Sequence, residues 1–518
     1  MSRTVVVGLD GSNWRLLEPW LADGTLPNLA ARRAESSWAE TESCLPPVTF
    51  PNWKCYSSGK NPGKFGVYWF ERVDLAAGEI EVTNGADFET LELWDYLNDE
   101  GHRAGVVNMP TMYPPRDIDG PVVAGGPDAV EGEYRSISGG YATPEGLAED
   151  LEERFDYRVH PDPLLSSNDE TGAEVDAILE LLDKRFEVAL SLLEEEDLSF
   201  VHVTLFYLNV LQHFFWDDEP TRRAYELIDE WVGRIDDMDD TNLVIMSDHG
   251  CAPTTTEFYV NEWLAENGYQ TRSASVDSVL QKVGIDRENA LAAAKAVGAV
   301  DLLATVVPER LQQLVPQSAG LKRDRKLEAM ELSETRAVAS GQGPIYLNPD
   351  FDTEHVREEL IADLEAVEDE EGPLFDGVYR AEEVYEGPHL GESDAPAVVV
   401  DQRDGVHVND GVGGGDVLAG PDRWRAENTR NGLFLASGPD FEHRGELEQI
   451  SITDMAPTLL AAAGCAVPTD MDGDVLPILA GEAAETVETR DPLSPAAAAD
   501  DRDTEGVENR LKQLGYME

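Results

Sequence analysis

Residues 4–11 read TVVVGLDG: a β-branched run that meets glycine and then the acid Asp10. Such a run is the signature of a strand buried on both faces of a parallel sheet, and its abrupt polar end marks the carboxyl edge where open α/β sheets build their sites. Residues 242–250, NLVIMSDHG, repeat the pattern and deliver Asp248 and His249 at the end of a second apolar run. Between them, 46–53, PPVTFPNW, presents Thr49 at the start of a helical stretch.

Working outward, helical periodicity over Asn13 to Leu21, Leu91 to Glu100, Glu174 to Glu196 and Arg222 to Met238 alternates with strand-like runs at Arg103 to Asn108 and Leu198 to Tyr207. That alternation predicts an α/β fold: a doubly wound, mostly parallel sheet flanked by helices. Helix Glu354 to Glu368, strand Ala397 to Asp401, strand Gly432 to Ala436 and helix Thr453 to Ala463 are expected to complete it. Residues 262–334 instead show helices without strands, including Arg287 to Val297 and Pro308 to Val315, and read as a helical cap inserted between 1–261 and 335–483. Residues 484–518 are acidic and rich in Ala and Pro, the composition of a flexible tail.

The 518 residues carry 39 Lys+Arg against 103 Asp+Glu, a formal charge of −64 spread along the chain. Nucleic-acid affinity comes largely from cationic side chains displacing counterions, so nucleic acid and anionic membranes are excluded as partners. The acidic surface reads as salt-adapted, a halophilic trait; at ~1 M salt the Debye length shrinks to ~3 Å and local site charge decides binding. Cys44, Cys55, Cys251 and Cys465 have no metal-binding spacing and read as reduced thiols. The N-terminus enters a strand at once, so a cytoplasmic location is expected. The most apolar stretch, 291–307, is broken by Lys295 and Asp301 and is not a membrane span.

Asp10, Asp248 and His249 offer two carboxylates and an imidazole, a donor set that suits zinc or manganese. Thr49 would be the fourth ligand; a threonine hydroxyl is a feeble nucleophile unless a cation favours its alkoxide. Taken singly, Asp10 can also be a polar turn residue and Thr49 a helix N-cap.

With its flanking motifs the chain resembles the alkaline phosphatase superfamily, in its type I phosphodiesterase/nucleotide pyrophosphatase branch. The resemblance rests on VVVGLDG, PPVTFPNWKCYSSGKNPGKFGV, NVLQHFFW, SDHG with FYVNEWLAENGY, GQGPIYLN and ITDMAPTLLAAAGCAVPTDMDGDVL, and covers roughly residues 1 to 480. It implies that Asp10, Asp248 and His249 hold a metal and that Thr49 is the nucleophile.

For the second metal of two-metal members, the resemblance places Asn209 where an aspartate is usual, His213 as the retained ligand, and Asn428 where a histidine is usual. One divalent ion, zinc or manganese, is therefore expected, with the second site degenerate. His407 could replace the missing histidine; Lys54, Lys60 or Lys64 could act where that metal stood, or be solvated loop charges. Tyr68 and Trp69, with Phe70, could stack a substrate ring or belong to the core. His202 reads as a core residue, and His389 and His355 as loop and surface residues.

The function implied is a metal-dependent hydrolase acting on a small-molecule phosphodiester, or a related phosphate ester, through a phosphothreonine. Two alternatives stay open: a one-metal enzyme like sulfatases and phosphonate hydrolases, and a weak or silent protein that binds metal and recognises a phosphorylated ligand. Oligomeric state is not legible.

Overall fold

The computed structural model describes residues 2–127, 140–163, 165, 172–273, 326–327, 329–412, 416–421, 424–484 and 486–494. Its centre is a mixed sheet in which four parallel strands lie side by side, in the order Thr241–Met246, Arg3–Gly8, Phe200–Thr204 and Ala104–Val107. Val5, Val6 and Val7 are fully buried, as the β-branched run requires of a strand covered on both faces. Val122–Val123 continues the parallel set, and Ala142–Thr143 closes that edge antiparallel. On the other side Asn431–Ser437 runs antiparallel to Thr241–Met246 and joins it to Ser37–Glu42. Helices Gly172–Glu195 and Glu219–Asp236 bury apolar faces, Ile178, Leu182 and Phe186 on one, Ile228 and Val232 on the other.

Strand register sets the site. Gly8 pairs with Met246 and with Thr204, so Asp10 and Asp248 both lie two residues past the last rung of adjacent parallel strands. Helix Phe206–Phe215 starts at the same level and brings in Asn209 and His213. The short strand Ala426–Thr429 pairs antiparallel with Gly250–Pro253, placing Asn428 opposite Cys251 and next to the SDHG turn.

Two elements expected in the main sheet lie elsewhere. Val398–Gln402 and helix Thr353–Glu365 belong to a second unit, whose antiparallel sheet runs Ala337–Ala339, Pro344–Leu347, Val398–Gln402, Phe375–Arg380. This unit has its own core, with Val356, Leu360 and Leu364 of the helix packed with Phe258, Trp263, Val398 and Val400. Val398–Gln402 resembled a central parallel strand because it too is buried on both faces: Val398 and Val400 face this core, while Val399 packs with Leu45, Tyr68 and Tyr385.

The helices Arg287 to Val297 and Pro308 to Val315 of the expected cap lie outside the described residues. Part of the expected tail is docked: Thr489–Arg490 pairs with Val467–Pro468, and Arg490 reaches Asp99 and Glu100. Among the described residues no helix is long and apolar enough to cross a membrane. All four cysteines are free thiols.

A buried ion pair anchors the far half of helix Thr49–Ser58. Lys54 Nζ donates to Glu92 Oε1 at 2.8 Å, Ser57 donates to the same oxygen, and Arg116 holds Oε2 at 2.9 Å. Burial pushes the Glu92 carboxyl up, but Lys54 and Arg116 outweigh it and hold the group below its ordinary range. Glu92→Gln strands the Lys54 cation in the core and is expected to cost about 3–5 kcal/mol, read from denaturant unfolding in high salt; a loss under about 1 kcal/mol contradicts this role.

Candidate metal centre

Four fully buried side chains converge at the carboxyl edge of the sheet. Thr49 Oγ1 lies 3.4 Å from Asp10 Oδ1 and 3.2 Å from His249 Nε2. His249 Nε2 lies 3.2 Å from Asp248 Oδ2 and 3.8 Å from Asp10 Oδ1. The ligand atoms of Asp10, Asp248 and His249 all fall within 4.8 Å of one another.

The protonation pattern shows what the cluster lacks. His249 Nδ1 is 2.9 Å from the Gly250 carbonyl, so it carries the proton and Nε2 turns its lone pair inward. Burial lowers the His249 pKa to about 4, leaving the ring neutral near pH 7. Burial raises Asp10 to about 7 against hydrogen bonds from Trp53, Asn209 and Thr49, and raises Asp248 well above its ordinary range, helped by the charge of Asp10. Asp248 Oδ2 accepts no hydrogen bond among the described residues.

An imidazole lone pair and two carboxylates thus face one another with the threonine hydroxyl as the donor among them. Acceptors buried this way require a positive charge between them. For ligands ~2.0–2.2 Å from a zinc-sized ion, tetrahedral geometry puts neighbouring ligand atoms about 3.3 Å apart. The shorter separations here match, so the residues fit a divalent cation.

The surroundings hold these groups in place. Trp53 Nε1 donates to Asp10 Oδ2 at 2.9 Å, and the Gly11 N–H donates to Asp248 Oδ1 at 3.2 Å. Thr49 opens the ten-residue helix Thr49–Ser58, whose N-cap is Val48. Its hydroxyl therefore does not cap the helix but turns to Asp10 and His249, while the helix N-terminus favours negative charge there. Asn52, one turn on, ties down the preceding loop: Oδ1 accepts from Cys44 N at 2.9 Å, and Nδ2 lies 2.9 Å from Pro46 O and 3.0 Å from Val48 O. Ser43 Oγ donates to the Asp248 carbonyl at 2.8 Å, joining this loop to the SDHG turn.

Residues 4–425 match the family described as type I phosphodiesterase / nucleotide pyrophosphatase. The chain belongs to that family. It is a hydrolase of the alkaline phosphatase superfamily. Its fold is similar to that of phosphonoacetate hydrolase from Sinorhizobium meliloti 1021 in complex with phosphonoformate, with a TM-score of 0.58 at 15% identity over 90% of this chain and 96% of that one. It is also similar to murine ectonucleotide pyrophosphatase / phosphodiesterase 5, with a TM-score of 0.50 at 13% identity over 92% of this chain and all of that one (100%). An inactive variant of the murine protein is solved with AMP and covers 93% of this chain. Comparison with curated protein sequences gives no match.

The residues that the sequence resemblance assigns to a second cation, Asn209, His213 and Asn428, are bonded to protein groups. Asn209 Nδ2 donates to Asp10 Oδ1 at 3.0 Å and to Asn428 Oδ1 at 3.3 Å. A hydrogen-bond donor therefore points at the carboxylate where a cation would have to stand. His213 Nδ1 donates to the Ala426 carbonyl at 2.8 Å, its ring stacks on Trp424 at 3.8 Å, and burial lowers its pKa to about 3. His407 Nδ1 lies 3.4 Å from Glu427 Oε2, and its ring is 6.0 Å from that of Trp424.

Other sequence candidates lie apart from the cluster. Lys54 is bound to Glu92, Lys60 to Asp470 at 2.6 Å, and Lys64 to Asp472 and the Asp470 carbonyl, so none of these ammonium groups is turned to Thr49. Tyr68 packs on Tyr385 at 5.1 Å, and Trp69 packs edge-on against Phe70 with Gly341 close above it; both are buried and belong to the core. His202 is a core residue between Trp53 and Tyr56, as its sequence setting implies. His389 pairs with Glu392, and His355 lies exposed beside Glu359. The roles of Trp53, Gly11 and Ser43 are not legible in the sequence, although Gly11 and Trp53 end the motifs TVVVGLDG and PPVTFPNW.

Trp53→Phe removes the donor that orients Asp10 and is expected to weaken divalent-ion affinity about 10–100-fold, measured by competition with a metallochromic chelator; unchanged affinity contradicts that role. Because burial raises Asp10 and Asp248, the metal-free fold favours their protonated forms, so it loses stability as pH rises from about 4 through about 7. Metal uptake at pH 6 should therefore release protons, seen by calorimetry in buffers of different ionisation heat, and affinity should rise with pH; uptake that is pH-independent between 5.5 and 8 contradicts it.

Proposed function

We propose that the chain is a metal-dependent hydrolase of small-molecule phosphodiesters in which Thr49 is the nucleophile. The observation that carries the reading is the convergence of Thr49 Oγ1 with Asp10 and His249 at 3.4 and 3.2 Å, inside a fully buried acceptor cluster. Asp10, Asp248 and His249 hold one divalent ion, zinc or manganese. That ion supplies the positive charge that lets a threonine hydroxyl lose its proton near neutral pH and that draws electrons from the phosphoryl group.

Helix Thr49–Ser58 aims Oγ1, and Asn52 fixes the loop before it, so the attacking atom is positioned before substrate arrives. Thr49 Oγ1 gives up its proton to solvent and bonds to phosphorus, the opposite P–O bond breaks, and the leaving alkoxide takes a proton from solvent. Water then attacks the same phosphorus, releasing the phosphate monoester and restoring the hydroxyl. The phosphonoformate and AMP bound in two of the similar structures are in keeping with a small phosphorus-containing substrate.

A one-metal phosphonate hydrolase is the second reading, favoured by the misfit of Asn209 and Asn428 to another cation. The charge of −64 suits a cytoplasm rich in salt, where the field outside the site is screened.

With Mn²⁺ or Zn²⁺ in molar salt, turnover of bis-p-nitrophenyl phosphate is expected to fall about 10³-fold or more in Thr49→Ala, and acid quench should trap a p-nitrophenyl phosphoryl group on Thr49 in the parent protein. Equal rates for parent and variant contradict the reading. A sulfate or phosphonate reporter turned over faster than the diester assigns the alternative substrate class.

A further inference from the structure

A hydrogen-bond chain links Asp10, Asn209 and Asn428. Asn209 turns its NH₂ toward Asp10 Oδ1 at 3.0 Å. The same nitrogen lies 3.3 Å from the Asn428 side chain, which must answer with its oxygen. The NH₂ of Asn428 is then left over. Asn428 is buried, and its Nδ2 has no hydrogen-bond partner among the described residues.

An unsatisfied buried amide costs about 1–3 kcal/mol and is uncommon in folded proteins. The Asn428 backbone is held firmly: its N–H donates to Glu427 Oε1 at 2.8 Å, its carbonyl accepts from Gln402 Nε2 at 3.1 Å, and its strand pairs with Cys251. Glu427 is itself fixed by Trp424 Nε1 at 2.8 Å and by Gln342. Asn209 Oδ1 also lacks a partner, but that amide lies against Gly11, where an added Cβ would come within 2.7 Å of the oxygen. The leftover donor on Asn428 belongs to a side chain set in a rigid frame.

Both Thr49 Oγ1 and Asn209 Nδ2 contact the same oxygen, Asp10 Oδ1, so the amide pair adjoins the place where the nucleophile acts. We infer that Asn428 Nδ2 is a hydrogen-bond donor to a non-bridging oxygen of the phosphoryl or phosphonyl group held at Thr49, with Asn209 as the positioning residue that turns it. This rests on the proposed function and deepens it. In place of a second positive ion, the site offers a neutral, oriented N–H, which stabilises negative charge on that oxygen without adding net charge. Removing one such donor from a pre-organised site commonly costs about 10²–10³-fold in rate.

The test uses full-length protein loaded with Mn²⁺ in high salt and compares the parent with Asn428→Ala, Asn428→Ser and Asn428→Asp. Orthovanadate affinity is read by calorimetry and metal content by elemental analysis. Asn428→Ala is expected to bind vanadate at least 10-fold more weakly with metal content unchanged. Asn428→Ser, which keeps a donor, should recover part of the loss, and Asn428→Asp, which puts an acceptor there, should bind most weakly. Vanadate affinity within twofold of the parent in Asn428→Ala, or a change in metal stoichiometry, overturns the inference. Turnover with and without Thr49→Ala separates the two claims: if Thr49 proves essential and vanadate affinity ignores position 428, the donor falls and the nucleophile stands. If Thr49 proves dispensable while vanadate affinity follows position 428, the reverse holds.

Discussion

Two buried carboxylates that cannot both be charged without a cation between them are the constraint on which this molecule turns. Asp10 and Asp248 reach one spot because their strands are adjacent, parallel and in register, with Gly8 beside Met246. His249 adds a neutral lone pair and Thr49 a hydroxyl, each kept there by a hydrogen bond or a helix start that costs little in local strain. Three neighbouring donors serve the same end: Trp53, Gly11 N–H and Asn209 all donate to the acids.

The same logic accounts for the amides. In an environment this acidic and this dry, a carboxylate at 209 would demand another cation, whereas an asparagine supplies its own donor. The pair Asn209–Asn428 therefore closes the site without further charge, and its unspent N–H faces the one chemical task left, holding an anionic oxygen. Elsewhere these lysines are paired: Lys54, Lys60 and Lys64 each find a carboxylate far away in sequence, at Glu92, Asp470 and Asp472. Partly solvated pairs such as Lys64–Asp472 contribute little; in the buried Lys54–Glu92 pair neither charge has water to return to.

Much of the site was legible in the sequence because strand ends announce themselves. TVVVGLDG and NLVIMSDHG each show an apolar run stopping at an acid, and parallel register does the rest. Asn209 and Asn428 were legible as departures from a ligand pattern, but their mutual bond was not, since it depends on Ala426–Thr429 pairing with Gly250–Pro253. The lysines misled because sequence spacing shows no partner 38 or 410 residues away. VVVDQ misled for a different reason: burial on both faces looks the same whether a strand sits mid-sheet or is sandwiched between a lobe and the body. The bulky pair Tyr68–Trp69 could not be assigned without knowing that Tyr385 and Gly341 cover it.

The most direct test of the account is anomalous diffraction from crystals of the Mn²⁺-loaded protein. A single peak bounded by Asp10, Thr49, Asp248 and His249, with none beside Asn209, His213 and Asn428, is the predicted result. A second peak at the amides, or no peak within coordinating distance of Thr49 Oγ1, would contradict it.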